Sequence, residues 1–251
     1  MTKTLLTGGL MAGAIAGLVA MLLQLALIQP LIVEAERYES GESVLPGLAD
    51  TEIPSHAAEE APAAHTHDHG DEEDSILVRG GLTLVTMVLT WGAFGLLASA
   101  GLMTFRALSA QPSPGGAVLG LAGFAVFSLA PGLGLPPELP GMSAAELEAR
   151  QFWWVLTAGA TAIGLFLAGG MRNGLARLAG LALIVLPHVI GAPHPVEAVP
   201  AVPPELASLY AARVLGMNLV GWLVLGTALL RFLPDTAGGA AVARRPLSDA
   251  V

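Results

Sequence analysis

Long apolar runs dominate the chain, and alternation of apolar with polar residues does not. Six runs stand out: Leu5–Ile28, Ile76–Met103, Ala117–Leu135, Phe152–Met171, Leu175–Ile190 and Ala207–Phe232. A helix rises about 1.5 Å per residue, so roughly 20 apolar residues cross a hydrocarbon core about 30 Å thick. Most of the runs reach that length. Their continuity argues against a barrel, whose strands alternate. The pattern predicts an all-α polytopic membrane bundle of about six transmembrane helices. The count falls to five if Leu175–Ile190, which is short and contains Pro187, is re-entrant. The first run is too long for a signal-peptide core, and no small-x-small cleavage site follows it. It reads as an uncleaved helix.

The polar intervals set the orientation. With both termini cytoplasmic, Lys3, Arg106, Arg172, Arg177, Arg231, Arg244 and Arg245 lie inside, against Arg37, Arg79, Arg150 and Arg213 outside. That agrees with the positive-inside rule. Of the acidic residues only Asp235 and Asp249 fall inside, and the histidines gather at the outer face. The expected organisation is a transmembrane domain over residues 1–233 followed by a disordered cytoplasmic tail, 234–251. The domain includes an acidic, histidine-bearing exoplasmic loop over 30–75. Between Glu34 and Asp74 that loop holds thirteen carboxylates against Arg37 alone. Such a composition predicts disorder in its middle.

Composition supports the lipid setting. Apolar residues make up 54% of the 251 and charged residues 12%, about half the roughly 25% of a soluble domain. The absence of cysteine excludes thiolate metal sites, Fe–S clusters and cysteine nucleophiles. Lys3 is the one lysine, and no phosphate cradle of the Walker type is present. The net charge of −9 disfavours nucleic acid as a partner. HExxH, a serine–histidine elbow and an intramembrane aspartate pair are all missing, so an enzyme is not expected.

Three constellations carry candidate chemistry. The first is His65-Thr66-His67-Asp68-His69 within the acidic loop. Alternate imidazoles with interleaved carboxylate suit borderline divalent cations such as Co²⁺, Ni²⁺ or Zn²⁺. The bland alternative is a solvated acidic loop. The second is Leu186-Pro187-His188-Val189-Ile190-Gly191-Ala192-Pro193-His194-Pro195. Prolines break the helix there and place His188 and His194 at the membrane edge, as ion ligands or as structural loop residues. The third is Gln24 and Gln29 in the first helix with Glu34 and Glu36 just beyond. Gln24 lies deep enough to need a polar partner. Glu138 is presented by a proline-rich outer turn. Ser128 and Asn218 are polar groups within apolar segments, either interhelical glue or path lining. Gly9, Gly13 and Gly17 form a small-residue ridge that permits close helix approach, within this chain or with a partner helix.

Together these blocks resemble the CbtA family of predicted cobalt transporter subunits. The resemblance is carried by Gln29-Pro30-Leu31-Ile32-Val33-Glu34-Ala35-Glu36, the His/Asp loop, Gly120-Leu121-Ala122-Gly123-Phe124 with Leu129-Ala130-Pro131, and Leu133-Gly134-Leu135-Pro136-Pro137-Glu138-Leu139-Pro140-Gly141. Arg150-Gln151-x-Trp153-Trp154 and the Pro187–Pro195 segment complete it. It implies a bacterial inner-membrane protein for cobalt uptake, with five spans and a small one-helix partner, CbtB. Cobalt as substrate comes from the resemblance; the donor set itself leaves nickel and zinc open. A homo-oligomer is equally compatible with the sequence. The rival reading is an accessory or sensor membrane protein that delivers metal to another transporter.

Overall fold

A computed structural model describes residues 2–43, 69–196 and 202–233, with the backbone alone for 69–79. The described residues are helical and contain no strand. Six helices follow one another: α1 (Thr2–Glu39), α2 (His69–Leu108), α3 (Gly116–Gly134), α4 (Leu147–Gly170), α5 (Gly174–Ile190) and α6 (Pro204–Phe232). Five of them are long and apolar enough to cross a membrane, and α5, at 17 residues, is shorter. At about 1.5 Å per residue α5 measures about 26 Å. It nonetheless runs antiparallel along α4, from the Gly170 end back to the level of Trp153. Gly180 packs on Gly164 midway, and the His188 ring meets Trp153 at the far end.

Three of the helices continue through proline: α5 carries Pro187 inside it and ends only at Ile190, where the sequence predicted a break, and the other two widen ahead of the ring. In α1 a π-turn occupies Gln24–Ile28 ahead of Pro30, and in α3 one occupies Ala125–Leu129 ahead of Pro131. The offset is the same in both. Proline removes one helical hydrogen bond and crowds the carbonyl four residues back, and a widened turn absorbs both effects. In α1 the Leu27 carbonyl then accepts from Arg213 Nη1 at 2.9 Å.

This corrects the expected loop over residues 30–75, which is helical at both margins. Beyond Pro30, α1 persists to Glu39 because Leu31, Ile32, Ala35 and Tyr38 form one apolar stripe. The stripe packs against Leu139, Val202 and Leu206. At the other margin α2 already begins at His69.

The core follows from small residues. α1 lies between α2 and α6, and α6 also packs on α3. The glycine ridge faces α2. A Cβ on Gly9 would lie 2.6 Å from Ser99 Oγ, one on Gly13 2.7 Å from Gly92 Cα, and one on Gly17 3.1 Å from Met87 O. The ridge therefore serves packing within the chain. Gly13→Val should cost at least about 2 kcal/mol, since overpacking a tight contact costs about 1–3 kcal/mol. A lowered midpoint of thermal unfolding in detergent would register it. A midpoint equal to that of the unsubstituted protein would mean that α1 and α2 can part without cost.

The outside of the bundle is apolar. Along α5, Leu175, Leu178, Leu181, Val185 and Val189 are all more than half exposed. Water would drive such a surface to aggregate, whereas acyl chains solvate it.

Candidate functional site

The α3–α4 connection builds a vestibule at one end of the bundle. Pro136 and Pro137 stiffen the chain after α3, and Gly141 turns it back at φ 77°. The turn is pinned by Leu139, which is buried and whose N–H points to Met142 Sδ at 3.3 Å. Glu138 is thereby held against the first turn of α4. Arg150 Nη2 donates to Glu138 Oε2 at 2.9 Å, with side chains 32% and 21% exposed. Behind this pair lies a cavity of about 550 Å³ between α3, α4 and α6. Its polar lining is Ser128, Glu138, Arg150, Gln151 and Asn218, and Trp154 forms part of the wall.

A second cavity, of about 1090 Å³, opens between α2, α3 and α4 in the opposite half. Leu97, Val126, Ile163 and Phe166 make it mainly apolar, with Thr104, Gln111 and Arg177 as polar members. Phe127 is the one residue that the walls of both cavities share. Its ring stacks on Trp222 at 5.4 Å with an interplanar angle of 4°, and it also meets Phe94 at 5.3 Å and Trp154 at 6.1 Å. Phe127 and Ser128 both belong to the π-turn of α3. The π-turn ahead of Pro131 thus contains both the shared aromatic ring and a vestibule hydroxyl.

The residues singled out in the sequence are distributed as follows. Glu138 and Asn218 line the vestibule together. Gln24 opens the π-turn of α1, and Gln29 follows that turn; both are half-buried. Glu34 pairs with Arg37 at 3.2 Å, one turn on, and Glu36 is half-buried on the same helix. His188 is half-buried edge-on to Trp153, with ring centroids 6.0 Å apart, and His194 is exposed. The loop between the histidines rests on the end of α3, where a Cβ on Gly134 would lie 2.9 Å from Ala192 Cβ. Among the described residues, no three His, Asp or Glu side chains group as a metal would require. His65, His67 and Asp68 lie outside the described residues, and of His69 only the backbone is described.

Two features were not foreseen from the sequence. Arg150 is the partner of Glu138. The available signal was an opposite charge on each side of a short turn, with Glu146 and Glu148 as competing carboxylates beside Arg150. The other feature is a buried polar stripe on α4. Trp153, Thr157 and Thr161 recur at every fourth position, and Trp153 Nε1 and both threonine hydroxyls have no hydrogen-bond partner. The threonines are 0% and 2% exposed. Buried polar atoms are rarely left unpaired, and nothing in the packing of α4 on α5 accounts for these.

No curated protein and no solved structure matches the chain. A family model described as a probable cobalt transporter subunit, CbtA, matches residues 2–233. The match spans every described helix, including the Glu138 turn and the proline-flanked histidines. The protein therefore belongs to the CbtA family.

Proposed function

We propose that this chain is the membrane-embedded path by which a divalent transition metal, foremost Co²⁺, enters a bacterial cell across the cytoplasmic membrane, with both termini cytoplasmic. One observation carries the reading: a vestibule with Glu138, Gln151 and Asn218 in its lining and a larger cavity in the opposite half share Phe127, which is clustered with Trp154 and Trp222. Such an arrangement fits a route closed at its midpoint. Hydrophobic constrictions of this kind gate by excluding water.

The charge distribution supports the direction. The Glu138 end of the bundle is also the end of Glu34, Glu36, His188 and His194. The acidic loop with His65, His67, Asp68 and His69 joins the helices at that same end. In this reading the loop gathers cations outside, His65, His67, Asp68 and His69 capture one, and Glu34, Glu36, His188 and His194 pass it to the vestibule. Gln24 and Gln29 sit beside the route as polar packing in α1. Nickel and zinc fit the same donors. A small one-helix membrane protein similar to CbtB is the expected partner.

The test is metal flux into sealed proteoliposomes, measured for Co²⁺, Ni²⁺ and Zn²⁺ with and without that partner. The His188→Ala/His194→Ala double variant should lose at least about 80% of Co²⁺ flux while inserting normally. Flux equal to that of the unsubstituted protein would remove both histidines from the route. The stacked Phe127–Trp222 pair leaves room for a second reading, delivery of metal to a separate transporter. Metal binding without flux would be its mark.

A further inference from the structure

We propose that the vestibule is a divalent-cation site with Glu138 as its anionic ligand and Arg150 as a built-in competitor that holds the site until an ion displaces it. The inference rests on the uptake reading for its physiological ion. Its chemistry stands on the vestibule alone.

The donors are all oxygen. Glu138 offers a carboxylate, Ser128 a hydroxyl, and Gln151 and Asn218 amide oxygens. Oxygen sets of this kind hold hard or borderline divalent ions with part of their water retained. The space suits that state. Water occupies about 30 Å³ per molecule in the liquid, so six waters take up roughly 180 Å³. The 550 Å³ vestibule exceeds that volume, and a hydrated ion enters without full dehydration.

Arg150 decides occupancy. With its guanidinium on Glu138 the mouth carries no net charge, and a cation gains little by entering. A divalent ion on Glu138 would repel the guanidinium, so Arg150 must leave. A second carboxylate is placed to receive it. Glu146 is exposed, and its carbonyl accepts the Arg150 N–H at 3.0 Å. It caps α4 one turn before Arg150, with extended backbone at ψ 136°. In this account Arg150 leaves Glu138 towards Glu146.

Trp154 in the vestibule wall supplies the readout, because Co²⁺ quenches nearby indole fluorescence. The purified full chain in detergent should show saturable quenching by CoCl₂, and Trp154→Phe should abolish most of it. Glu138→Gln should move the quenching midpoint to at least tenfold higher Co²⁺. Arg150→Gln should move it at least threefold lower, since the competitor is gone. Should a single charge left behind unfold the protein, the Glu138→Gln/Arg150→Gln double variant keeps the mouth neutral. It should bind as weakly as Glu138→Gln. An unchanged midpoint in Glu138→Gln, or in the double variant, would overturn the site. So would weaker binding in Arg150→Gln, which would make the pair a structural tie. Proteoliposomes separate this inference from the uptake reading. Co²⁺-dependent quenching without flux removes uptake alone, and flux with a midpoint indifferent to Glu138 removes this site alone.

Discussion

A potassium diffusion potential of about 100 mV, negative inside, is expected to concentrate Co²⁺ on the order of a thousandfold in vesicles that hold this protein in the inward orientation. One elementary charge moving through 100 mV gains roughly 2.3 kcal/mol, and a divalent ion gains about twice that. At about 1.4 kcal/mol per tenfold change in concentration, the result exceeds three decades. The oxygen-lined vestibule and the closed Phe127 contact ask for no chemical energy beyond this. Collapsing the potential with valinomycin at equal potassium should return internal Co²⁺ to the external level. Accumulation that ignores the potential and follows a proton gradient would assign the route a coupled exchange instead.

Phe127→Ala should raise Co²⁺ flux at least tenfold and erode discrimination against Mg²⁺. The side chain is the one element common to the two cavity walls. Cutting it back to a methyl group would open the contact between the vestibule of about 550 Å³ and the cavity of about 1090 Å³. Water needs only about 30 Å³ per molecule to fill the gap. Core Phe→Ala changes cost about 3–5 kcal/mol, so thermal unfolding must accompany the flux measurement. Phe127→Leu keeps apolar bulk at the contact and should stay closed. A folded Phe127→Ala protein with unchanged flux would place the barrier elsewhere.

The helices were legible because lipid imposes a minimum length of apolar sequence, and that signal survives without homologues. Their margins were less legible. Pro30 reads locally as a helix stop, yet the π-turn over Gln24–Ile28, just ahead of it, lets α1 run on. What sustains the extension is contact with Leu139 and Val202, more than a hundred residues away. Part of the site was legible for a simple reason: Glu138, Ser128 and Asn218 are polar in apolar surroundings. Arg150 was harder, because an ion pair depends on the fold of the intervening turn. Phe127 gave no signal at all. An aromatic ring in an apolar run looks the same whether it fills a core or closes a passage.

The α4–α5 hairpin has one more consequence. α5 leans almost wholly on α4, and the pair meets the other helices mainly along the Glu138 end of α3. At the opposite end its tie includes the Gly170 carbonyl, which accepts from Ala110 N at 3.0 Å and from Ser109 Oγ at 3.1 Å. The inner cavity lies in the seam between the hairpin and the rest. Swinging the hairpin as one stiff arm about Gly170 would therefore break chiefly its contacts at the Glu138 end. Small rotations of one helical unit against another are how many carriers expose a central site to alternate sides, and here the pivot would be the Gly170 end, where Phe166 also meets Phe105.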